Sequence, residues 1–245
     1  MPRFFIAASN IGKGAAVITG SDADHARVLR LRIGDELIIC DGEGTDHLCR
    51  VRDIGPGQVK TEIIGSVPSP GEPSVHVTVL CALPKGERAD YIVQKCTECG
   101  AGELVFFLSR RCVARPDEKS MEKKLVRFRR IAEEAAKQAG RGVVPGVAFV
   151  PTVVEAIDIA MKTELPLFLY ETGERVSLRR AIAAAVKPKN AAIITGPEGG
   201  FEPFEVGMAA KLGIPLCAMG PRILRCETAP VAALTALMLE TGNMD

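Results

Sequence analysis

The sequence that decides the fold lies near the C-terminus, where an apolar run leads directly into a glycine-rich loop, Ile193-Ile194-Thr195-Gly196-Pro197-Glu198-Gly199-Gly200-Phe201. The apolar run predicts a buried strand, and a helical pattern begins at about Pro203. Ligands of open α/β sheets bind at the carboxyl ends of the strands, so this loop is in a position to bind one. It lacks the glycine spacing of dinucleotide-binding folds and the lysine of a P-loop. A tight strand-to-helix turn without a ligand is the alternative.

Alternating strand and helix patterns extend outward from this loop. Strands are predicted at 75–83, 104–108, 165–170, 191–195 and 215–219, and helices at 87–100, 118–140, 153–161, 178–185, 203–212 and 229–241. Apolar runs without alternation are typical of strands that are buried on both faces. Strands that alternate with helices predict an α/β fold with a parallel sheet.

The N-terminal part of the chain has a different pattern. Short strands are predicted at 4–7, 16–18, 36–40, 49–51 and 59–64, with one helix at 21–31 that Ser21 or Asp22 can cap. Three prolines and a glycine then occur within residues 66–73, where neither a strand nor a helix is expected to continue. We therefore predict two domains, residues 1–70 and 74–245.

A second polar loop follows the last predicted strand, Met219-Gly220-Pro221-Arg222-Ile223-Leu224-Arg225-Cys226-Glu227-Thr228-Ala229-Pro230. Its two arginines and its glutamate stand beside apolar residues, a mixture that suits a ligand with an apolar part and charged ends. Thr228 can cap the following helix, with Pro230 in its first turn. The alternative is a surface loop that carries a salt bridge.

Composition excludes several classes of protein. The chain has 245 residues, of which 47% are hydrophobic and 25% charged, with a net charge of +1. No apolar run reaches the length of about 18 residues that a membrane span needs, and the N-terminus is not a signal peptide, so we expect a cytoplasmic protein. The eight cysteines, including the pair Cys96 and Cys99, lack the second ligand pair of a zinc site, and we expect buried thiols and no metal. No hydrolytic triad is credible.

Basic residues are clustered although the net charge is small. Arg27, Arg30 and Arg32 form one group, and Arg110, Arg111 and Arg115 form another. Such patches on a neutral protein fit a nucleic-acid interface. Solvated helix faces with nearby glutamates explain the charge pattern equally well.

Four segments of the chain together resemble the ribosomal RNA small subunit methyltransferase E family. They are the two loops quoted above, the helix segment from Lys85 to Gly100, and Ile131 to Arg141. The segment His25 to Asp35 matches it also, and the resemblance runs in collinear order over nearly the whole chain. Cys96, Cys99 and Cys226 depart from the residues usual in the family, which again favours thiols over a metal site.

The resemblance implies a fold and an activity. This family belongs to the SPOUT methyltransferases, so it implies an α/β-knot domain with a C-terminal trefoil knot, after an N-terminal PUA-like β-barrel that binds RNA. It also implies a homodimer. The implied reaction is S-adenosylmethionine-dependent methylation of N3 of one uridine in 16S ribosomal RNA. The alternatives are a SPOUT enzyme acting on a ribose 2′-hydroxyl or on transfer RNA, and a non-catalytic RNA-binding assembly factor.

Residues are assigned to roles on the same basis. Arg225 is expected to stabilise the charge that develops on the base, and Glu198 or Glu227 to take the proton from N3. The cofactor is expected to contact Thr195, Gly196, Pro197, Glu198, Gly199, Gly200, Met219, Gly220, Ile223, Leu224, Arg225, Thr228 and Ala229. RNA is expected to contact Arg3, Arg27, Arg30, Arg32, Arg88, Arg110, Arg111 and Arg141.

Overall fold

The computed structural model describes residues 1–244, and these form two compact units. The first unit contains residues 1–72 together with the distant segment Ala136–Val144. The second contains Pro73–Ala135 and the chain from Pro145 onward. The first unit is therefore built from two separate parts of the sequence.

The first unit is a five-stranded sheet with one helix. Its elements are β1 (Arg3–Phe5), β2 (Ala15–Thr19), α1 (Gly20–Val28), β3 (Glu36–Cys40), β4 (Thr45–Gly55) and β5 (Gln58–Pro68), with a short 3-10 helix at Ala8–Asn10. The strand order is β1-β3-β4-β5-β2, and all pairs are antiparallel except β1 with β3. Phe4, Ile18, Leu37, Ile39 and Val51 form the centre of its core.

The second unit is a seven-stranded parallel sheet covered by helices. Its strands are β6 (His76–Ala82), β7 (Glu103–Phe107), β8 (Gly146–Val150), β9 (Leu165–Leu169), β10 (Val176–Ser177), β11 (Asn190–Thr195) and β12 (Leu216–Ala218). Its helices are α2 (Arg88–Glu98), α3 (Glu118–Ala139), α4 (Val153–Ala160), α5 (Leu178–Ala184), α6 (Pro203–Lys211) and α7 (Thr228–Glu240). The order of strands is β10-β12-β9-β11-β6-β7-β8.

The central strands are buried on both faces, as their apolar runs predict. Every residue of β6 after His76 is buried, and so is every residue of β11 after Asn190. α4 packs against β6, β7, β8, β9 and β11, while α7 packs against β6 and β11. The prediction of a mixed α/β fold with a parallel sheet is confirmed.

Some strand boundaries differ from the sequence prediction. β8 and the two-residue β10 were not predicted, and β5 continues to Pro68, beyond the start of the predicted break. β8 lies at the edge of the sheet between two prolines, Pro145 and Pro151, and edge strands tolerate proline at their ends. Pro68 likewise stands at the last paired position of β5, opposite Thr45.

The predicted helix caps are wrong in two places. The residue before α1 is Thr19, without a side-chain cap, and neither Ser21 nor Asp22 takes that position. Thr228 is the first residue of α7, and Glu227 precedes it. The carbonyl of Arg225 already accepts the N–H groups of Thr228 and Ala229, at 2.9 Å each, so the chain turns before Thr228. Within residues 1–244, no helix is both long and apolar enough to cross a membrane.

Candidate functional site

Three loops of the second unit meet at one edge of its sheet. They follow β9, β11 and β12, which are neighbours in the order β12-β9-β11. Because these strands are parallel, their carboxyl ends lie side by side, and the loops that leave them enclose a cavity of about 510 Å³. This volume is within the usual range of small-molecule sites. The glycine loop and the second polar loop are thus two walls of one cavity.

Most residues predicted to bind a cofactor line this cavity. They are Thr195, Gly196, Pro197, Glu198, Gly200, Met219, Gly220, Ile223, Leu224, Arg225 and Ala229, and Glu227 lines it as well. Two predicted residues do not. The carbonyl of Gly199 accepts a hydrogen bond from Arg111 at 3.0 Å, and Thr228 lines a neighbouring groove.

The glycine loop is shaped by close contacts that a side chain would prevent. A Cβ on Gly196 would lie 3.0 Å from the ring of Phe201, which is only 3% exposed. The ring centroid of Phe201 lies 4.4 Å from that of Phe168. Gly200 has φ of +68°, and a Cβ there would lie 2.5 Å from Oε1 of Glu171. Glycine at these two positions therefore lets the loop pack directly against Phe201 and Glu171.

The buried carboxylate of Glu205 holds the glycine loop through hydrogen bonds. Glu205, 1% exposed, accepts hydrogen bonds from Ser109 Oγ at 3.0 Å, from the N–H of Arg110 at 2.9 Å and from the N–H of Glu202 at 2.8 Å. The guanidinium of Arg111 donates to Glu202 at 3.0 Å, and this contact raises the pKa of Arg111. Hydrogen bonds to Glu205 and the ion pair between Arg111 and Glu202 therefore hold the loop in place. Sequence reasoning missed Glu205 and Ser109 because nothing local shows that they are buried.

Arg88 joins the two loops electrostatically. Its guanidinium pairs with Glu198 of the glycine loop, and its Nε lies 3.6 Å from Oε2 of Glu227 in the second loop. Glu198 also accepts the N–H of Lys85 at 2.9 Å. Burial would raise the pKa of Glu198, but the hydrogen bonds from Lys85 and Arg88 outweigh it and lower the pKa below its usual 4.5. Glu198 is thus a weak base with a fixed position.

Cys226 contributes a neutral thiol to the cavity. Burial, together with a hydrogen bond that its Sγ donates to Glu227 at 3.2 Å, raises the pKa of Cys226 to about 12. Burial also raises the pKa of Cys96 well above 9.0. Both side chains are therefore thiols at neutral pH, and within residues 1–244 no three potential metal-ligating side chains of His, Cys, Asp or Glu cluster.

Three exposed arginines stand at the cavity. Arg175, Arg222 and Arg225 all line it, and none of their side chains forms a hydrogen bond or ion pair with another residue in the described part of the chain, 1–244. Their charges are available to a ligand. Arg225, which the sequence analysis assigns to charge stabilisation on the base, is one of the three.

The arginines predicted to bind RNA fall into different environments. Arg3 pairs with Asp46 through contacts of 2.6 and 2.7 Å, and Arg141, 3% exposed, pairs with Glu72 at 2.7 Å. These two guanidinium groups form ion pairs inside the first unit, and we do not propose them as RNA contacts. The exposed members are Arg27, Arg30, Arg32, Arg110 and Arg111, and Arg88 is partly exposed.

Sequence reasoning missed the third wall of the cavity. Tyr170, Glu171 and Arg175 follow β9 and line it. The strand itself was predicted, and a parallel sheet requires its carboxyl end to lie at the ligand-binding edge. The sequence thus predicted the strand, but it did not predict that β9 lies between β11 and β12.

Two family models match the chain. One describes an RNA methyltransferase domain and matches residues 71–238, and the other describes an RNA methyltransferase PUA domain and matches residues 18–64. These matches, over a parallel α/β unit with a ligand cavity at its strand ends, identify the protein as an RNA methyltransferase. Among curated relatives, ribosomal RNA small subunit methyltransferase E of Bacillus subtilis is 33% identical over 229 residues, which cover 91% of this chain and 90% of the relative. The Mycobacterium bovis protein of the same name is 32% identical over 238 residues, 94% of this chain and 88% of the relative.

The chain belongs to the ribosomal RNA small subunit methyltransferase E family, as its motifs indicated. Solved structures agree. The Neisseria gonorrhoeae methyltransferase E, bound to S-adenosyl methionine, is 28% identical with a TM-score of 0.84, over 98% of this chain and 97% of that one. A Legionella pneumophila methyltransferase in complex with the same cofactor is 26% identical with a TM-score of 0.82, over 97% and 96%.

Proposed function

We propose that this protein uses S-adenosylmethionine to methylate N3 of one uridine in the 16S ribosomal RNA of the small subunit. The observation that carries the proposal is the cavity of about 510 Å³ between the three loops, with the unpaired Arg225 in its lining. Its mixed lining suits a cofactor with an apolar adenosine and a charged amino-acid end. Homologous proteins with this fold hold that cofactor in their solved structures.

The cavity residues fit the cofactor. Gly196 and Gly200 line the cavity without side chains of their own, and Ile223 and Leu224 supply apolar surface. When bound, S-adenosylmethionine supplies a methyl group that its positively charged sulfur has already activated. The protein residues then have to hold the acceptor nitrogen in line with that methyl group and exclude water.

Arg225 is proposed to stabilise negative charge on the base. N3 of uracil carries a proton at neutral pH, so the base becomes anionic or nearly so as that proton leaves. A guanidinium without a protein partner can donate to the carbonyl oxygens beside N3. Arg222 lies three residues away, is also exposed and has no partner among residues 1–244, which makes it a matched comparison.

Glu227 is the better candidate for the group that takes the proton, directly or through water. Glu198 is committed to Arg88 and to the N–H of Lys85, and its pKa is lowered. A carboxylate with a lowered pKa is a poorer base. Glu198 is accordingly proposed as a positioning residue that orients Arg88 between the two loops.

RNA is proposed to bind through exposed arginines of both units. Arg27, Arg30 and Arg32 lie on the first unit, beside the exposed apolar side chains of Val28 and Ile33. Contacts from arginine to phosphate release counterions, so binding should weaken as salt rises. The target base must leave its stack before N3 is reachable.

The remaining architecture is proposed on the same footing. Residues 1–70 would form a PUA-like β-barrel domain and residues 74–245 a SPOUT domain with a trefoil knot. Two features support the knot. β9 lies between β11 and β12 in the sheet, and α7 packs against the central strands β6 and β11. The homodimer is proposed from the family to which the chain belongs.

The proposal is tested on 16S rRNA from a strain that lacks the protein. Wild-type protein with S-adenosylmethionine should add one methyl group, which mass mapping of RNA fragments locates on a uridine base. Arg225→Ala should lower turnover far more than Arg222→Ala, while both variants remain folded. If Arg225→Ala leaves turnover and cofactor binding intact, its assignment fails.

The same experiment separates the alternatives. A methyl group on a ribose 2′-hydroxyl, or on transfer RNA only, would indicate a different SPOUT reaction. Calorimetry that detects no heat with S-adenosylmethionine would indicate a non-catalytic RNA-binding factor.

A further inference from the structure

A second, more open groove adjoins the cofactor cavity. It has a volume of about 700 Å³ and is lined by Lys85, Gly86, Glu87, Arg88, Tyr91, Glu227 and Thr228. Arg88 and Glu227 line both the groove and the cavity, so the two spaces share a wall. The proposed function does not by itself say what the groove holds.

The groove has an aromatic side chain and hydrogen-bond donors, which suit a flat, polar ring. Tyr91 is 47% exposed and is an aromatic side chain in its lining. The ammonium of Lys85 and the hydroxyl of Thr228 form no hydrogen bond or ion pair with the rest of residues 1–244, and both residues are exposed. A nucleobase combines a π-face for stacking with carbonyl oxygens that accept hydrogen bonds.

The position of the groove is equally specific. Reacting atoms have to approach within about 3–3.5 Å before a methyl group can be transferred, so the acceptor must occupy a space next to the cofactor. The groove meets this condition through the wall formed by Arg88 and Glu227. Glu227 is also the residue proposed to accept the proton, and it faces both spaces.

We propose that this groove receives the unstacked target pyrimidine base, and that Tyr91 is the aromatic surface on which the base stacks. Lys85 and Thr228 then donate hydrogen bonds to its carbonyl oxygens. The inference rests on the proposed function, because it names where the acceptor of that reaction lies. Tyr91 acts through stacking, so its ring matters and its hydroxyl does not.

Three variants test the role of Tyr91. Tyr91→Ala removes the ring, and Tyr91→Phe keeps it. Phe204→Ala removes a comparably exposed aromatic ring, 58% exposed on α6, that lines neither space. Each protein is assayed for methyl transfer to 16S rRNA from the strain that lacks the protein, and for S-adenosylmethionine binding by calorimetry.

Loss of a stacked base lowers kcat/KM of Tyr91→Ala by roughly 5-fold to 150-fold. Phe204→Ala stays close to wild type, Tyr91→Phe loses less kcat/KM than Tyr91→Ala does, and the Kd for S-adenosylmethionine is unchanged in all three. If Tyr91→Ala retains wild-type kcat/KM, or if Tyr91→Phe is impaired as strongly as Tyr91→Ala, stacking on Tyr91 is refuted.

A crosslinking measurement distinguishes failure of this inference from failure of the proposed function. A 16S rRNA transcript containing 4-thiouridine is irradiated at long wavelength with wild-type protein, and crosslinked peptides are mapped by mass spectrometry. A crosslink at the peptide containing Tyr91 supports the base site even if no methyl group is transferred. Methyl transfer without that crosslink, and with active Tyr91→Ala, refutes the base site alone.

Discussion

Replacing Gly196 by alanine should destabilise the second unit and weaken cofactor binding. The new Cβ would lie 3.0 and 3.1 Å from two ring atoms of Phe201, closer than nine in ten Cβ contacts in proteins. The ring cannot withdraw, because it is 3% exposed and its centroid lies 4.4 Å from that of Phe168. The contact therefore has to be relieved by movement of the loop that lines the cavity.

The cost of such overpacking is about 1–3 kcal/mol. For a chain of this size, about 1 kcal/mol shifts the melting temperature by roughly 2–4 °C, so Gly196→Ala should melt roughly 2–12 °C below wild type. The matched control is Gly207→Ala on α6, where a Cβ meets nothing within 4 Å. Alanine there should stabilise the helix by about 0.5–1 kcal/mol.

Both variants are measured by differential scanning calorimetry, with and without S-adenosylmethionine. The Kd for the cofactor should rise in Gly196→Ala and stay constant in Gly207→Ala. The double variant Gly196→Ala with Phe201→Leu should be less destabilised than the sum of the two single changes. Unchanged melting and unchanged cofactor affinity in Gly196→Ala would refute the reasoning that Phe201 fixes the loop.

Three further predictions concern charge and burial. Because its pKa is lowered, the ionised form of Glu198 contributes stability above about pH 4.5, and this stability is lost as the pH falls through the pKa of the folded state. The difference in melting temperature between wild type and Glu198→Gln should therefore shrink below pH 4.5. A difference that stays constant with pH would contradict this prediction. Cys226, with a pKa of about 12, should react with iodoacetamide at pH 8 on the order of a hundredfold or more slowly than glutathione, measured by mass spectrometry, and labelling as fast as glutathione would refute it. Arg141→Met leaves Glu72 without its guanidinium partner and should lower the free energy of unfolding in urea by about 3 kcal/mol. Arg27→Met removes the exposed pair with Asp24 and should lower it by less than about 1 kcal/mol. Equal losses would show that burial of the ion pair does not matter.

The strands and helices of the second unit could be predicted because burial leaves a strong pattern in their sequence. β6 and β11 are apolar at consecutive positions since helices cover both faces of the sheet. β10 has only two residues, and β8 is flanked by prolines at the edge of the sheet, where only Val147 is buried, so neither has the environment of a central strand. Chain pattern therefore predicts central strands better than edge strands.

The cavity could be predicted only where its residues are consecutive. The glycine loop and the loop from Met219 are continuous segments, and both line it. Tyr170 and Glu171 could not be included because their contribution depends on β9 lying between β11 and β12. Strand order is set by packing over the whole sheet, and no local spacing records it.

The sequence shows how many arginines the chain has, but not which of them are exposed. Arg3 and Arg27 are both arginines of the N-terminal module, yet the first is bound to Asp46 inside the unit and the second is exposed. The partners of Arg3 and Arg141 lie tens of residues away in the chain. Long-range pairing of this kind decides which arginines remain available to phosphate.

The two-part construction of the first unit has a consequence for how the protein is made. Arg141 pairs with Glu72, and its carbonyl accepts a hydrogen bond from Arg3 at 2.8 Å, so the unit is complete only with the segment Ala136–Val144. At about 5–20 residues per second, a ribosome takes several seconds to synthesise the chain between Glu72 and that segment. During this interval Glu72 lacks the guanidinium of Arg141, and the N-terminal sheet can reach its final form only after Pro73–Ala135 of the second unit has been synthesised.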